Sequence, residues 1–339
     1  MNPTEQSHRS QAAIVSLVVS TGLLLVKFWA FHQTGSQAVF SDAMESIVNV
    51  VASALALFVI FYASRPADQE HPYGHGKMEY FSAAFEGGLI SFAAILIMVA
   101  SIRSLILGPE IERLDIGVIV VLGAGAVNFL LGLYLVRRGQ KLSSVALRAS
   151  GKHALADFWT SLGVGLGLAL VALTEMFWLD SVLAFAVGAL LARSGFKLVR
   201  ESVGALLDEE DLEVLKKLAG AFEKHSENGI IQIHHVKTIR SGWYHHIDAH
   251  VVLPEFWTVD QVHERMLVFE KRVIQDYPYK GEMNFHFDPC RRAYCKVCDL
   301  KDCPIRREPF VERMAPDIEQ LRSPHEPSEF RAKRPEEKS

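Results

Sequence analysis

Six apolar stretches fill the first part of this chain of 339 residues, and they constrain its fold more than any other feature. A helix needs about 20 apolar residues to cross the hydrocarbon core of a bilayer. Several stretches carry single polar residues on one helix face, which suits a bundle better than a lone anchor. The chain is therefore predicted to form a six-transmembrane-helix bundle at residues 11–207, behind a short N-terminal segment at residues 1–10. The predicted spans are Gln11–Phe31, Ala38–Tyr62, Tyr80–Leu107, Ile116–Val136, Ala154–Leu173 and Met176–Val199.

Composition agrees with a membrane protein. Half of the residues are hydrophobic and the mean hydropathy is +0.16, whereas a soluble protein of this length averages below zero. The net charge of −4 gives no indication of nucleic-acid binding. The N-terminal segment lacks the basic region and the small-residue cleavage site of a secretory signal, so none is predicted.

Basic residues in the short loops predict the orientation of the helices, because lysine and arginine are enriched on the cytoplasmic side. They concentrate in the second and fourth loops and at the end of the sixth span, whereas the first and fifth loops contain none and the third contains only Arg113. Both termini are therefore predicted to be cytoplasmic. The residues that decide this are Arg65, Lys77, Arg137, Arg138, Lys141, Arg148, Lys152, Arg193, Lys197 and Arg200.

The pattern changes after Leu207, where shorter elements follow. Helix, strand, strand, helix and strand predict a small α+β domain at residues 208–289. A four-cysteine segment follows at residues 290–308, and residues 309–339 are predicted to be disordered because they are rich in proline and charge. The predicted elements are Asp208–His225, Ile230–Arg240, Tyr244–Leu253, Thr258–Asp276 and Glu282–Phe287.

Two predicted membrane helices carry polar pairs with the same spacing. His153 and Asp157 lie four residues apart, hence on one helix face, and Asp157 is the only ionisable group in the apolar part of its span. A charge in a bilayer is costly and normally faces a protein interior or a water-filled path. Glu45 and Asn49 repeat the spacing, so the two helices offer four ligands for a tetrahedral metal site. The alternative is that Glu45 caps its helix or pairs with a basic residue at the membrane surface.

The second loop offers a further set of possible metal ligands. Asp68, His71 and His75 fall within eight residues, and neighbouring prolines and glycines bend the backbone so that the side chains can converge. The loop is either a second metal site or an ordinary polar loop.

Histidine and aspartate also alternate on the predicted strands of the α+β domain. His246, Asp248 and His250 share one face of a strand, and His286 and Asp288 alternate on the last strand. Two neighbouring strands that each present histidine and aspartate favour a metal site over inert surface histidines. His263 lies on the intervening helix. Three histidines without a partner pattern are interpreted as surface residues, namely His234, His235 and His245.

All four cysteines lie within one short segment, at Cys290, Cys295, Cys298 and Cys303. The clustering argues against a disulfide framework and indicates a metal or cluster site in a reducing compartment. Structural Zn²⁺ is the first choice, an iron–sulfur cluster the second, and a redox-active or labile site the third.

The sequence resembles the cation diffusion facilitator family of divalent metal transporters over about residues 10 to 290. The resemblance rests on DAMESIVNVVAS, RPADQEHPYGHGKMEYFSA, KHALADFWTSLGV and MNFHFDPC, which are specific in combination. It implies a homodimer whose cytoplasmic domain is a metallochaperone-like αββαβ module. It also implies a transporter and not an enzyme.

The resemblance assigns roles to individual residues. Glu45, Asn49, His153 and Asp157 fall at the transport site, and Asp68, His71 and His75 at a loop site. His250, His263, His286 and Asp288 fall where relatives bind metal at the cytoplasmic dimer interface. Lys77 and Asp208 match a charged pair that locks the two protomers together in relatives, and the alternative is that both are solvated surface charges.

This chain departs from the usual family pattern at two ligand positions. The family usually has aspartate or histidine where this chain has Glu45, and nearly always aspartate where it has Asn49. The site therefore carries two carboxylates and not three, which weakens its attraction for a divalent cation. The cysteine segment and the tail lie outside the common core of the family.

These observations predict proton-coupled export of a divalent metal from the cytoplasm, across what is expected to be a bacterial inner membrane. Zinc is the first choice of cargo, with iron, cobalt and manganese next, because nitrogen and oxygen ligands suit these metals better than Cu⁺. Protons are the expected counter-ion. Two rival hypotheses are a membrane-anchored iron–sulfur redox protein and a metal sensor that transports nothing.

Overall fold

The computed structural model describes residues 3–34, 37–108, 114–174, 176, 178–226 and 228–330, apart from the side chains of some helical residues. The chain divides into two compact units, Met1–Leu207 and Asp208–Ser339.

The first unit contains six long helices. They are α1 (Pro3–Thr34), α2 (Gln37–Ala63), α3 (Met78–Leu107), α4 (Leu114–Lys141), α5 (Val145–Thr174) and α6 (Trp178–Leu206). By length and hydropathy, three stretches within the described residues qualify as membrane spans, namely Gln6–His32, Met78–Leu107 and Val118–Lys141. Large apolar side chains cover the outside of the helices: Ile106 is 76% exposed and Phe196 is 70% exposed. A soluble protein would not leave so much apolar surface uncovered, whereas lipid covers it in a membrane.

The helices extend beyond the apolar stretches from which they were predicted. Arg137, Arg138 and Lys141 lie on the last turns of α4, and Arg148 and Lys152 on the first turns of α5. The basic residues attributed to the fourth loop are therefore helical, and only residues 142–144 connect the two helices. The sixth helix, α6, begins at Trp178, two residues after the predicted start of the sixth span.

Close packing of α3 on α6 and of α4 on α5 depends on glycine. A Cβ atom on Gly195 would lie 2.8 Å from the carbonyl oxygen of Gly87, and one on Gly151 would lie 3.0 Å from that of Gly132. Small residues at these crossings let the backbones approach, which is how membrane helices gain contact area without a hydrophobic driving force.

A buried ion pair ties three parts of the first unit together. The guanidinium of Arg9 on α1 donates to a carboxylate oxygen of Glu79 on α3 at 2.9 Å, and also to the carbonyl oxygen of Leu142. The other oxygen of Glu79 accepts from the backbone N–H of Val145 at 2.6 Å and from the Ser144 hydroxyl at 3.1 Å. Glu79 therefore caps the start of α5, where its charge also complements the helix dipole.

The second unit contains the predicted helix, strand, strand, helix, strand order. Its elements are α7 (Leu212–His225), β1 (Gln232–Ser241), β2 (Tyr244–Leu253), α8 (Val259–Asp276), β3 (Lys280–Pro289) and the short α9 (Ile318–Arg322). The sheet order is β1-β2-β3, with β1 antiparallel and β3 parallel to β2. The core includes Leu218 and Phe222 of α7, Ile247 and Val251 of β2 and Val273 of α8. The fold expected from the residue pattern, a helical membrane unit followed by a small α+β domain, is confirmed.

The first helix of this unit is shorter than predicted. Asp211 accepts hydrogen bonds from the backbone N–H groups of Glu213 and Val214, so it caps α7 and fixes the start of the helix. Asp208 lies before this cap with a backbone φ of 56°, outside the helix that was predicted to begin there.

Residues 309–330 pack against the domain, so the prediction of a disordered tail from Pro309 is wrong for this part of the chain. Leu321 of α9 is fully buried in the domain core. The carbonyl oxygen of Ser323 accepts from the N–H of His235 on β1, and the Phe330 ring stacks on Tyr294 at 4.3 Å. The segment is rich in proline and charged residues, so its composition did not predict that a few apolar side chains hold it against the domain. Residues 331–339 lie outside the described part.

Candidate functional site

Three of the four predicted transport-site side chains meet between α2 and α5. The Asn49 amide donates to Asp157 Oδ2 at 2.6 Å, and its carbonyl oxygen contacts His153 Nε2. His153 Nε2 lies 3.9 Å from Asp157 Oδ1. All three side chains are buried. The spacing of four residues on each helix thus brings an imidazole nitrogen, an amide oxygen and a carboxylate together, and these are the ligand types of a divalent metal site.

The three side chains line a small polar cavity. Its volume is about 10 Å³, and serines from α1 and α2 form part of its wall. Two of those hydroxyls, Ser16 and Ser53, lie 3.1 Å apart. A space of about 10–15 Å³ holds one water molecule, so the cavity has room for one small ion or one water molecule.

Two acidic residues of α2 complete the description of this region. The side chain of Glu45, the fourth predicted ligand, lies outside the described residues. Asp42 pairs with Lys27 of α1 at 2.8 Å, with both side chains buried. The Lys27 ammonium neutralises the carboxylate of Asp42, which precedes Asn49 by seven residues on α2.

The loop cluster also comes together. Asp68, His71 and His75 each place a ligand atom within 4.8 Å of the other two. The Asp68 carboxylate contacts His71 Nδ1 at 3.1 Å and His75 Nε2 at 3.4 Å. It also accepts from the backbone N–H of His71, which lowers the pKa of Asp68 below its usual range and keeps the carboxylate ionised.

A third cluster forms on the sheet of the second unit. His234, His250 and Asp288 place their ligand atoms within 4.8 Å of one another. The two oxygens of Asp288 lie 3.0 Å from His250 Nδ1 and 3.8 Å from His286 Nε2. The rings of His250 and His286 are 4.4 Å apart, so three of the four residues expected at the cytoplasmic site are neighbours.

The cluster differs from the sequence prediction at three histidines. His234 was interpreted as a surface residue, but it is buried opposite His250 in the antiparallel register. A bulge after His234 gives His235 a φ of 50° and brings its Nδ1 within 3.3 Å of His250 Nε2. Strand alternation cannot predict this, because the bulge breaks the alternation. His263 lies exposed on α8, outside the cluster of three ligands.

His245 is the third histidine that was interpreted as a surface residue, and it is buried. Its Nδ1 lies 2.6 Å from the Tyr277 hydroxyl, and its ring stacks on Tyr279 at 4.4 Å. Its side chain is only 2% exposed. It therefore stabilises the fold of this unit and offers no accessible ligand.

Acid should destabilise the second unit. Burial lowers the pKa of His234 and of His245 to about 4 in each case, so both imidazoles are neutral in the folded chain. In the unfolded chain they take up protons near pH 6.5, so the unfolded state binds more protons between about pH 6.5 and pH 4 and stability falls as the pH falls. We expect the urea midpoint of this unit to decrease over that range in the presence of a chelator.

Thiol labelling of the full-length protein measures this midpoint, because all four cysteines lie in the second unit and three of them are buried. A pyridyl disulfide reacts with thiols at acid pH and suits the experiment. His245→Phe removes one of the two buried histidines, so the urea midpoint of this variant should change less with pH than that of the wild type. A midpoint that stays constant from pH 6.5 to pH 4 would contradict the prediction.

The predicted metal or cluster site at the four cysteines stays a prediction. Among the described residues, only the loop cluster and the sheet cluster gather three or more possible metal ligands, and neither includes a thiol. The Arg306 guanidinium donates to the carbonyl oxygens of Cys295, at 2.9 Å, and Cys298, at 3.0 Å, and so holds the turn of the segment. Burial raises the pKa of the Cys298 thiol above its ordinary value.

The remaining predicted pair falls on two different units. Lys77 directly precedes α3 and is half-buried, and Asp208 is exposed. Their pairing across a dimer stays a prediction.

Comparison with known proteins identifies the family. Residues 13–207 match the model of the cation efflux transmembrane domain, and residues 207–290 match that of the cation efflux protein cytoplasmic domain. An uncharacterized transporter of Synechocystis is 33% identical over 264 residues, 78% of this chain and 85% of that protein. The cation-efflux pump FieF of Citrobacter koseri is 29% identical over 299 residues, 86% of this chain and 96% of the pump. The FieF pump of Cronobacter sakazakii is 26% identical over 289 residues, 83% of this chain and 93% of the pump. This chain is therefore an integral membrane transporter, not an enzyme, and it belongs to the cation efflux family, also called the cation diffusion facilitators.

Proposed function

We propose that the protein exports Zn²⁺ from the cytoplasm across a bacterial inner membrane in exchange for protons, as a homodimer with both termini in the cytoplasm. Membership of the family supports efflux of a divalent metal cation. The observation that carries the finer proposal is the buried contact of Asn49, His153 and Asp157 around a cavity for one ion.

The chemistry of the three side chains supports proton exchange. A metal ion needs the neutral imidazole of His153 and the ionised carboxylate of Asp157, and protons compete for both groups. Histidine titrates near neutral pH, which makes His153 the proposed point of exchange. Rocking of the helices would expose the cavity to one side of the membrane at a time.

The ligand set guides the choice of metal. Oxygen and nitrogen ligands without sulfur favour Zn²⁺, Fe²⁺, Co²⁺ or Mn²⁺ over Cu⁺. Because Asn49 is neutral, the site attracts cations less strongly than one with a third carboxylate, so Fe²⁺, Co²⁺ and Mn²⁺ stay in the proposal beside zinc. The transport proposal uses none of the four cysteines, and a structural Zn²⁺ or an iron–sulfur cluster at those residues stays a separate proposal.

The sheet cluster and the loop cluster are proposed as secondary metal sites. Metal bound at His234, His250, His286 and Asp288 would draw two cytoplasmic domains together, with His263 as a ligand from the exposed face of α8. The family model matched by this region is a dimerisation domain, which supports the homodimer. Asp68, His71 and His75 would bind a further ion in the loop, and Lys77 and Asp208 would pair where the protomers meet.

Flux measurements on the purified protein in liposomes test the proposal. With a pH gradient and each of Zn²⁺, Fe²⁺, Co²⁺ and Mn²⁺ in turn, we expect metal movement accompanied by opposite proton movement, largest for Zn²⁺. Metal flux without proton flux would contradict antiport, and no flux for any metal would favour the sensor. Visible absorbance of an iron–sulfur cluster in the same sample would favour the redox protein.

A further inference from the structure

A stripe of buried polar residues follows one face of α3. Glu79, Ser82 and Glu86 are spaced by three and four residues, so they lie on the same side of the helix. Glu79 is 1% exposed, and Ser82 and Glu86 are fully buried. Ionisable groups inside a membrane helix are costly and mark functional paths. Glu79 is accounted for by its ion pair with Arg9, whereas nothing described so far accounts for Glu86.

Only one of the two carboxylate oxygens of Glu86 has a hydrogen-bond partner among the described residues. Its Oε1 accepts a hydrogen bond from the Ser150 hydroxyl of α5 at 2.9 Å. Within the described part of the chain, its Oε2 has no hydrogen-bond partner, and the same is true of the Ser82 hydroxyl one turn away. An ionised carboxylate with one hydrogen bond in such surroundings is far more costly than a neutral carboxyl group. Glu86 therefore holds a proton when no cation is near.

Among the side chains that the structure describes, the charged groups on the helices packed around α3 do not neutralise Glu86. On α2, Asp42 is paired with Lys27, and the side chain of Glu45 lies outside the described residues. His153 and Asp157 of α5 line the metal cavity. The other charged side chains described on α5 and α6 are exposed, namely those of Arg148, Lys152, Arg193, Lys197, Arg200 and Glu201.

Ser150 connects Glu86 to the metal cavity. Its side chain lines the same cavity as Asn49, His153 and Asp157, three residues before His153 on α5. A hydroxyl group both donates and accepts, so it can pass a change of protonation from one neighbour to the next. Glu86 is thus one hydroxyl group away from the space that the ion would occupy.

We propose that Glu86 is a proton-binding residue of the transport cycle, linked to the metal cavity through the Ser150 hydroxyl. This inference rests on the proposed antiport. When a divalent ion enters the cavity, its field favours the ionised carboxylate, and the proton of Glu86 leaves to solvent. When the ion leaves, Glu86 takes up one proton again. Glu86 thereby accounts for one of the protons exchanged for each ion without binding the ion itself.

Calorimetry of Zn²⁺ binding to the full-length protein tests this. Titrations in buffers of different ionisation enthalpy give the number of protons released per ion. Glu86→Gln keeps the shape of the side chain, so we expect it to bind Zn²⁺ and to release about one proton fewer per ion than the wild type. Glu86→Asp keeps the carboxyl group and should restore the release.

The outcomes separate the inference from the proposed function. If the wild type releases protons and Glu86→Gln releases the same number, the role of Glu86 is refuted while antiport stands. If the wild type releases none, antiport fails and the inference fails with it. Infrared difference spectra of the wild type give a second measurement that does not depend on the folding of Glu86→Gln. Zn²⁺ should remove a carbonyl band of a protonated carboxyl group, and Ser150→Ala should shift that band. A band that Zn²⁺ does not change would overturn the proposal.

Discussion

Replacing Asp157 with asparagine should reduce metal transport by at least about 100-fold, because changes to residues that merely support a metal ligand already cost about 10–100-fold in affinity or activity. Asp157 is buried and is the only carboxylate within 4 Å of His153 among the described side chains. Asparagine has nearly the same shape, so the packing of α2 on α5 should survive while the negative charge is lost. Zinc uptake into liposomes measures the effect, and thermal unfolding in detergent checks the fold.

Asn49→Asp provides the matched control for this prediction. It adds a carboxylate on the opposite side of the same cavity and restores the residue that is usual in the family. We expect it to retain transport and to bind the ion more tightly. Zinc uptake by Asp157→Asn at the wild-type rate would show that the ion does not use this cavity. Equal loss in both variants would indicate that the geometry of the hydrogen bonds, and not the charge, is decisive.

Sequence alone predicted the parts of the site that depend on helix spacing. His153 and Asp157 lie side by side because residues four apart share a helix face, whereas their contact with Asn49 depends on the packing of α2 against α5. The loop residues Asp68, His71 and His75 converge over a short distance along the chain, so proximity in sequence was a sufficient guide.

Other parts depended on contacts that no local pattern reveals. His235 reaches His250 because a bulge breaks the strand alternation, and His234 is buried by its register with β2. The tail packs through Leu321 and Phe330 although its composition resembles that of a disordered segment. Glu86 lies in the apolar stretch Tyr80–Leu107, and only its tertiary contact with Ser150 distinguishes it. Such features arise from residues far apart in the chain, which is why periodicity does not predict them.

The ion pair of Arg9 and Glu79 should make a large contribution to the stability of the membrane unit. Glu79→Gln leaves the Arg9 guanidinium without its carboxylate partner, although Arg9 is only 3% exposed. Removing one member of a buried ion pair costs about 3–5 kcal/mol, which corresponds to a decrease in melting temperature on the order of 10 °C for a unit of this size. Thermal unfolding of the full-length protein in detergent, followed by intrinsic fluorescence, measures the change.

A double variant separates the buried charge from the cap on α5. The glutamine oxygen of Glu79→Gln can still accept from the N–H of Val145, so the cap persists in this variant. Adding Arg9→Met removes the buried positive charge that Glu79 balances in the wild type, and replacement of both members of a buried pair is often close to neutral. The double variant should therefore recover more than half of the lost stability. If its loss instead equals the sum of the two single losses, the charges do not interact and the cost lies in the hydrogen bonds to residues 142–145.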